Sequence, residues 1–99
     1  MKIQIQKLAL GDLKLGYKFY EKQEAGLGDY FLESLYSDIE SLKLYFGKHP
    51  IHFGKFYRML SKRFPYAIYY QTDEETIFIR AIADLRRDPK WISNKIKRL

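Results

Sequence analysis

Ninety-nine residues suffice for one hydrophobic core and exclude two independently folded domains, so residues 1–99 are read as a single domain. Apolar residues make up 46% of the chain and aromatics 17%, nine of them tyrosine, which excludes a disordered tail and predicts a core rich in rings. Residues 1–47 carry six Lys/Arg against seven Asp/Glu and residues 48–99 carry twelve against five, so the net charge of +6 lies wholly in the second half and predicts an anionic partner. With no cysteine there is no disulfide framework, thiolate metal site or thiol nucleophile. Neither a signal peptide nor a membrane span is apparent, and a cytoplasmic protein with no membrane partner is expected.

In chain order, Ile3 and Ile5 alternate with Lys2, Gln4 and Gln6, the period of a half-buried strand over residues 2–7. From Ala9 to Glu24 the spacing becomes helical: Leu13, Tyr17 and Tyr20 share a face, with Phe19 beside them, and Gly16 suits a close backbone approach. Gly26-Leu27-Gly28 breaks this helix, and Asp29 is placed to cap the next. Leu32, Leu35, Tyr36, Ile39, Leu42 and Phe46 form the strongest helical stripe in the chain and predict a helix over 29–46, hence an αα-hairpin.

After a polar loop, strand patterns occupy residues 55–61, 64–72 and 76–85, separated by Ser61-Lys62 and by Asp73-Glu74-Glu75, and these predict an antiparallel meander. Pro65 fits the beginning of the middle strand. In the last strand, Ile77, Ile79, Ala81, Ala83 and Leu85 are expected to face the helices and Phe78, Arg80, Ile82, Asp84 and Arg86 the other side. Pro89 opens a short basic C-terminal helix carrying Trp91, Ile92 and Ile96. The fold class expected is α+β: an N-terminal strand and an αα-hairpin packed on a mostly antiparallel four-stranded sheet, in the order β-α-α-β-β-β, with a short C-terminal helix.

Chemistry concentrates at Arg86-Arg87-Asp88-Pro89-Lys90-Trp91, where two guanidinium groups and the one tryptophan stand at the exit of the last strand. Asp84 adjoins Arg86 on one strand face, where an ion pair would lower its pKa. His49 and His52 lack a third ligand of a zinc site, and Gly26-Leu27-Gly28 lacks the rest of a phosphate-binding loop, so no metal and no cofactor is expected. Tyr57, Tyr66, Tyr69 and Tyr70 are candidates for stacking bases, or else for core and partner-facing surface.

The chain resembles the RelE/ParE superfamily of type II toxins, specifically the ParE-like branch known as plasmid stabilisation proteins. The matching residues are Phe19-Tyr20-Glu21-Lys22-Gln23, Gly26-Leu27-Gly28 with Phe31-Leu32, Tyr57-Arg58, Arg63-Phe64-Pro65-Tyr66-Ala67-Ile68-Tyr69-Tyr70, and Arg86-Arg87-Asp88-Pro89 with Trp91. The resemblance implies a toxin held inactive by a cognate antitoxin. ParE-like members poison DNA gyrase by binding and catalyse no reaction, whereas RelE-like members are metal-independent endoribonucleases acting on mRNA in the ribosome. By motif position Arg63 and Arg86 resemble the phosphate-binding arginines of the ribonucleases. Target- or phosphate-binding residues are then Arg58, Arg63, Arg86, Arg87 and Trp91.

Cleavage beside a 2′-hydroxyl needs a base and an acid as well as cations. Base candidates are His49, His52, Asp84 and Glu75, of which Asp84 stands where many relatives carry a histidine. Three readings remain open at this point: a gyrase inhibitor, a ribosome-dependent mRNA endonuclease, and a basic nucleic-acid or protein-binding module without toxin activity.

Overall fold

The computed structural model describes residues 1–99. Its elements are β1 (Lys2–Ile5), α1 (Lys7–Gln23), α2 (Leu27–Tyr45), β2 (Ile51–His52), β3 (Phe56–Leu60), β4 (Tyr66–Thr72), β5 (Thr76–Asp84) and α3 (Pro89–Lys97). They form the expected α+β arrangement, with one strand more than the four expected. The sheet order is β1-β5-β4-β3-β2, antiparallel except where β1 runs parallel to β5. The added strand β2 pairs Ile51 with Tyr57 and His52 with Phe56. Two residues are too few for alternation to show in a sequence, and the turn behind them is made by Phe53 and Gly54, both at positive φ.

The hairpin covers one face of the sheet. Ala9, Leu13 and Tyr20 of α1 and Phe31, Leu35, Ile39 and Leu42 of α2 pack against Met59, Tyr66, Ile68, Tyr70, Ile77, Ile79 and Ile82. The predicted α2 stripe is corrected at two places: Tyr36 and Phe46 are exposed, and Phe31 is fully buried instead. Phe31 enters the core because its ring lies against Gly16, where any Cβ would collide with it. The start of α2 also differs from expectation. The helix begins at Leu27, ahead of Asp29, and no side chain at its N-cap serves the orphan amides. The Glu21 carboxylate on α1 does so, accepting from Gly26 N–H at 3.1 Å and Gly28 N–H at 3.0 Å.

The alternation expected for β5 fails beyond Ile79. Tyr70 pairs with Ile79 and Tyr69 with Ala81, so Arg80 is an extra residue in a β-bulge and every later side chain changes face. Ile82 therefore joins the hairpin core, while Ala81 and Ala83 turn to the opposite face, with Leu85 packed beside them. There they meet Ile92 and Ile96 of α3, together with Phe56, Ala67 and Tyr69. Helix α3 starts as its sequence predicts, with Pro89 in the first turn and Asp88 accepting Lys90 N–H at 2.8 Å.

Candidate functional site at the exit of strand β5

Beyond Ala83 the chain leaves the sheet with its charged residues held in place. Asp84 and Arg86 form a two-pronged pair: Arg86 Nε donates to Oδ1 at 2.9 Å and a terminal guanidinium nitrogen to Oδ2 at 2.8 Å. The Arg86 amide donates to the same Oδ1 at 2.9 Å. Burial raises the Asp84 carboxyl, but the hydrogen bonds from Arg86 and the charges of Arg86 and Arg87 outweigh it and hold the group below the ordinary carboxylate range. The hydrogen bond to Asp84 in turn raises the guanidinium above its ordinary value. The guanidinium lies over the Phe19 ring at 4.8 Å and the Tyr20 ring at 5.6 Å. Tyr66 stands nearby, its hydroxyl pushed up to about 12 by burial and by the Asp84 charge.

Arg87 takes a different course. Its guanidinium lies 4.3 Å from the centre of the Trp91 ring, and no carboxylate pairs with it. Lys95 approaches the same ring at 5.6 Å but is neutralised by Asp12, at 2.7 Å. The second oxygen of Asp12 accepts Ile82 N–H at 2.8 Å. Burial raises the Asp12 carboxyl despite the Ile82 and Lys95 bonds that oppose it. Leu15, Phe19, Asp84, Arg87 and Trp91 line the shallow pocket between α1 and α3 above this pair.

On the face away from the hairpin, His52, Phe53, Arg58, Tyr69, Arg87 and Pro89 line a second, more open groove. Arg58 pairs across the sheet with Tyr69, and its Nε is buried without a partner. Burial and the Arg58 charge lower the His52 imidazole, which favours its neutral form. Arg87 is thus the residue common to both hollows.

The remaining candidates lie elsewhere. Arg63 is exposed in the turn before β4, at the end of the sheet from which Arg86 emerges, since Leu85 N–H donates to Pro65 O at 2.8 Å. Glu75 belongs to the turn before β5, at the opposite end. His49 is engaged by the Tyr70 hydroxyl, which also accepts Gly47 N–H at 3.0 Å; burial lowers its pKa, and the ring holds the loop after α2 against β4. Of the strand tyrosines offered as base-stacking candidates, Tyr66, Tyr69 and Tyr70 are buried, and Tyr57 stacks on Tyr70 at 5.1 Å. No group of three or more His, Asp or Glu side chains converges as a metal site would require. Sequence reasoning missed Asp12 and Lys95. Their signal was a carboxylate at core spacing, three residues after Ala9 and four before Gly16, both of which are buried.

No family model matches this chain, and no curated protein matches it. Among solved structures, a chain of the "Chromosomal ParDE TA system from P. aeruginosa" is similar, with a TM-score of 0.74 at 15% identity, covering 86% of this chain and 96% of that one. The two chains share one fold. No helix is long and apolar enough to cross a membrane.

Proposed function

We propose that this chain is the toxin of a type II toxin-antitoxin pair, a cytoplasmic protein held inactive by an acidic antitoxin and inhibiting DNA gyrase by binding to it. The observation that carries the reading is the state of the cations at the β5 exit. Arg86 is locked to Asp84 and laid on Phe19, and Arg87 is laid on Trp91, an arrangement suited to recognising a protein surface through aromatic and guanidinium anchors. Asp84, the residue where relatives place a histidine, is held as the anion and is a poor acceptor of a proton.

One observation favours a second reading, a ribosome-dependent mRNA endonuclease. His52 lies beside Arg58 and Tyr69 with its neutral form favoured, and a neutral imidazole can take a proton from a 2′-hydroxyl while an arginine holds the phosphate.

Induced expression, with and without the neighbouring reading frame, separates the possibilities. Intact message with accumulating DNA breaks, abolished by Arg87→Ala, supports the gyrase reading. Codon-phased cuts in a translated message that vanish in His52→Ala or Arg63→Ala establish the ribonuclease. Absence of growth arrest leaves a binding module without toxin activity.

A further inference from the structure

The outer face of the hairpin carries a groove remote from the β5 exit. Leu10, Leu13 and Tyr17 of α1 and Leu32 and Tyr36 of α2 line it, and Leu10 and Tyr36 stay 42% and 43% exposed. Its two walls have opposite charge. Lys7, Lys14 and Lys18 lie at i, i+7 and i+11 and form one ridge along α1, while Asp29, Glu33 and Glu40 lie at i, i+4 and i+11 and form one ridge along α2. All six are exposed.

The ridges are matched in height. The helices cross where Gly16 meets Phe31 and Gly28 meets Tyr17, and they run antiparallel. Counting outward from that crossing sets Lys18 level with Asp29, Lys14 with Glu33 and Lys7 with Glu40. Within the chain these pairs do not form, for the ion pairs are Lys43–Glu40, Arg86–Asp84 and Lys95–Asp12. The groove holds the ridges apart.

We infer that this face binds a second copy of the chain. A two-fold axis parallel to the helices and centred over the groove lays α1 of each copy on α2 of the other at the same height. Lys18 and Lys14 of one copy then meet Asp29 and Glu33 of the other, and each pair is made twice, as an isologous interface requires, while Glu40, already paired with Lys43 on its own helix, comes level with Lys7. The apolar groove supplies the burial; the ridges set the register. They also select the axis, because a two-fold perpendicular to the helices stacks lysines on lysines.

The test is sedimentation of the full chain made by cell-free synthesis, whose readout is mass alone and so stands apart from the toxin reading. The expected result is a concentration-dependent monomer–dimer equilibrium. Lys14→Glu with Lys18→Glu gives a chain with two acidic ridges, and Asp29→Lys with Glu33→Lys gives one with two basic ridges. Each variant alone is expected to keep its circular dichroism and to associate at least about tenfold more weakly, from like-charge contacts. Mixing the two is expected to restore a one-to-one dimer. A wild-type chain that stays monomeric overturns the inference, as do variants that dimerise like wild type or a mixture that stays monomeric. Protection of this face from hydrogen exchange by an antitoxin, in a chain monomeric on its own, assigns the groove to that partner and overturns the inference too.

Discussion

Asp12 and Lys95 meet at 2.7 Å while the other oxygen of the same carboxylate accepts the Ile82 amide at 2.8 Å, so a single side chain ties α1, β5 and α3 together. The amide needs this acceptor because β1 ends at Ile5, whose partner is Ile79, and leaves the following stretch of β5 without a neighbouring strand on that side. Asp12→Ala strands a mostly buried ammonium and a buried amide together, and is expected to cost about 3–5 kcal/mol in denaturant unfolding. Asp12→Asn keeps an oxygen for Ile82 and is expected to cost less. A loss under about 1 kcal/mol for Asp12→Ala would remove the tie from any account of stability.

The two buried or half-buried carboxylates near the site are expected to act oppositely with pH. Asp84 has its folded pKa lowered, so its contribution is present above the unfolded value and is lost as pH falls through the folded one. Asp12 has its folded pKa raised by burial, so its contribution is full below the unfolded value and is lost as pH rises through the folded one. Unfolding free energies measured across the acid range are therefore expected to show a shallower acid loss in Asp84→Asn. In Asp12→Asn the decline just above the ordinary carboxylate value is expected to disappear.

Two alanine substitutions in α1 are expected to differ in sign. At Gly11 a Cβ meets nothing within 4 Å, and Gly11→Ala is expected to stabilise by about 0.5–1 kcal/mol through helix propensity. At Gly16 a Cβ runs into the Phe31 ring, which is itself enclosed by Tyr20, Phe64 and Tyr66, and Gly16→Ala is expected to destabilise by about 1–3 kcal/mol. Thermal unfolding of the two variants side by side checks the pair.

Growth arrest on induction is expected to survive His49→Ala and to fail in Arg87→Ala and Trp91→Ala. His49 serves the Tyr70 hydroxyl, whereas the cation on Trp91 has no carboxylate of its own and is open to a partner. Tyr70→Phe removes the acceptor of Gly47 N–H and the partner of His49, and is expected to cost about 1–3 kcal/mol without changing the arrest at permissive temperature. Loss of arrest in His49→Ala at unchanged stability would move the site to the loop after α2.

Much of this fold was legible because its periods are local. The helices of the hairpin, the three meander strands and the proline-opened α3 fall within a few residues of where their spacing puts them. What was illegible depends on contacts distant in sequence. Phe31 is core rather than rim because Gly16 makes room for it, and Asp29 yields the cap to Glu21 because α1 ends alongside. The site divided in the same way. The Asp84–Arg86 pair could be read from adjacency on a strand, whereas the partners of Arg86 on Phe19 and Tyr20, and the union of Asp12 with Lys95, span most of the chain.

The unpaired Arg80 has a consequence for everything downstream of it. Strand side chains obey a parity rule, and one supernumerary residue reverses it, so the face that each later side chain takes is fixed by a count rather than by its own chemistry. Were Arg80 paired into a regular ladder, Ala81, Ala83 and Leu85 would sit under the hairpin, Ile82 would lie under α3, and the Arg86 guanidinium would point away from Phe19. The address of the terminal arginines is therefore written several residues upstream: deleting Arg80 would straighten the strand and leave them where they are, whereas drawing Arg80 into the ladder would move them without altering one of them.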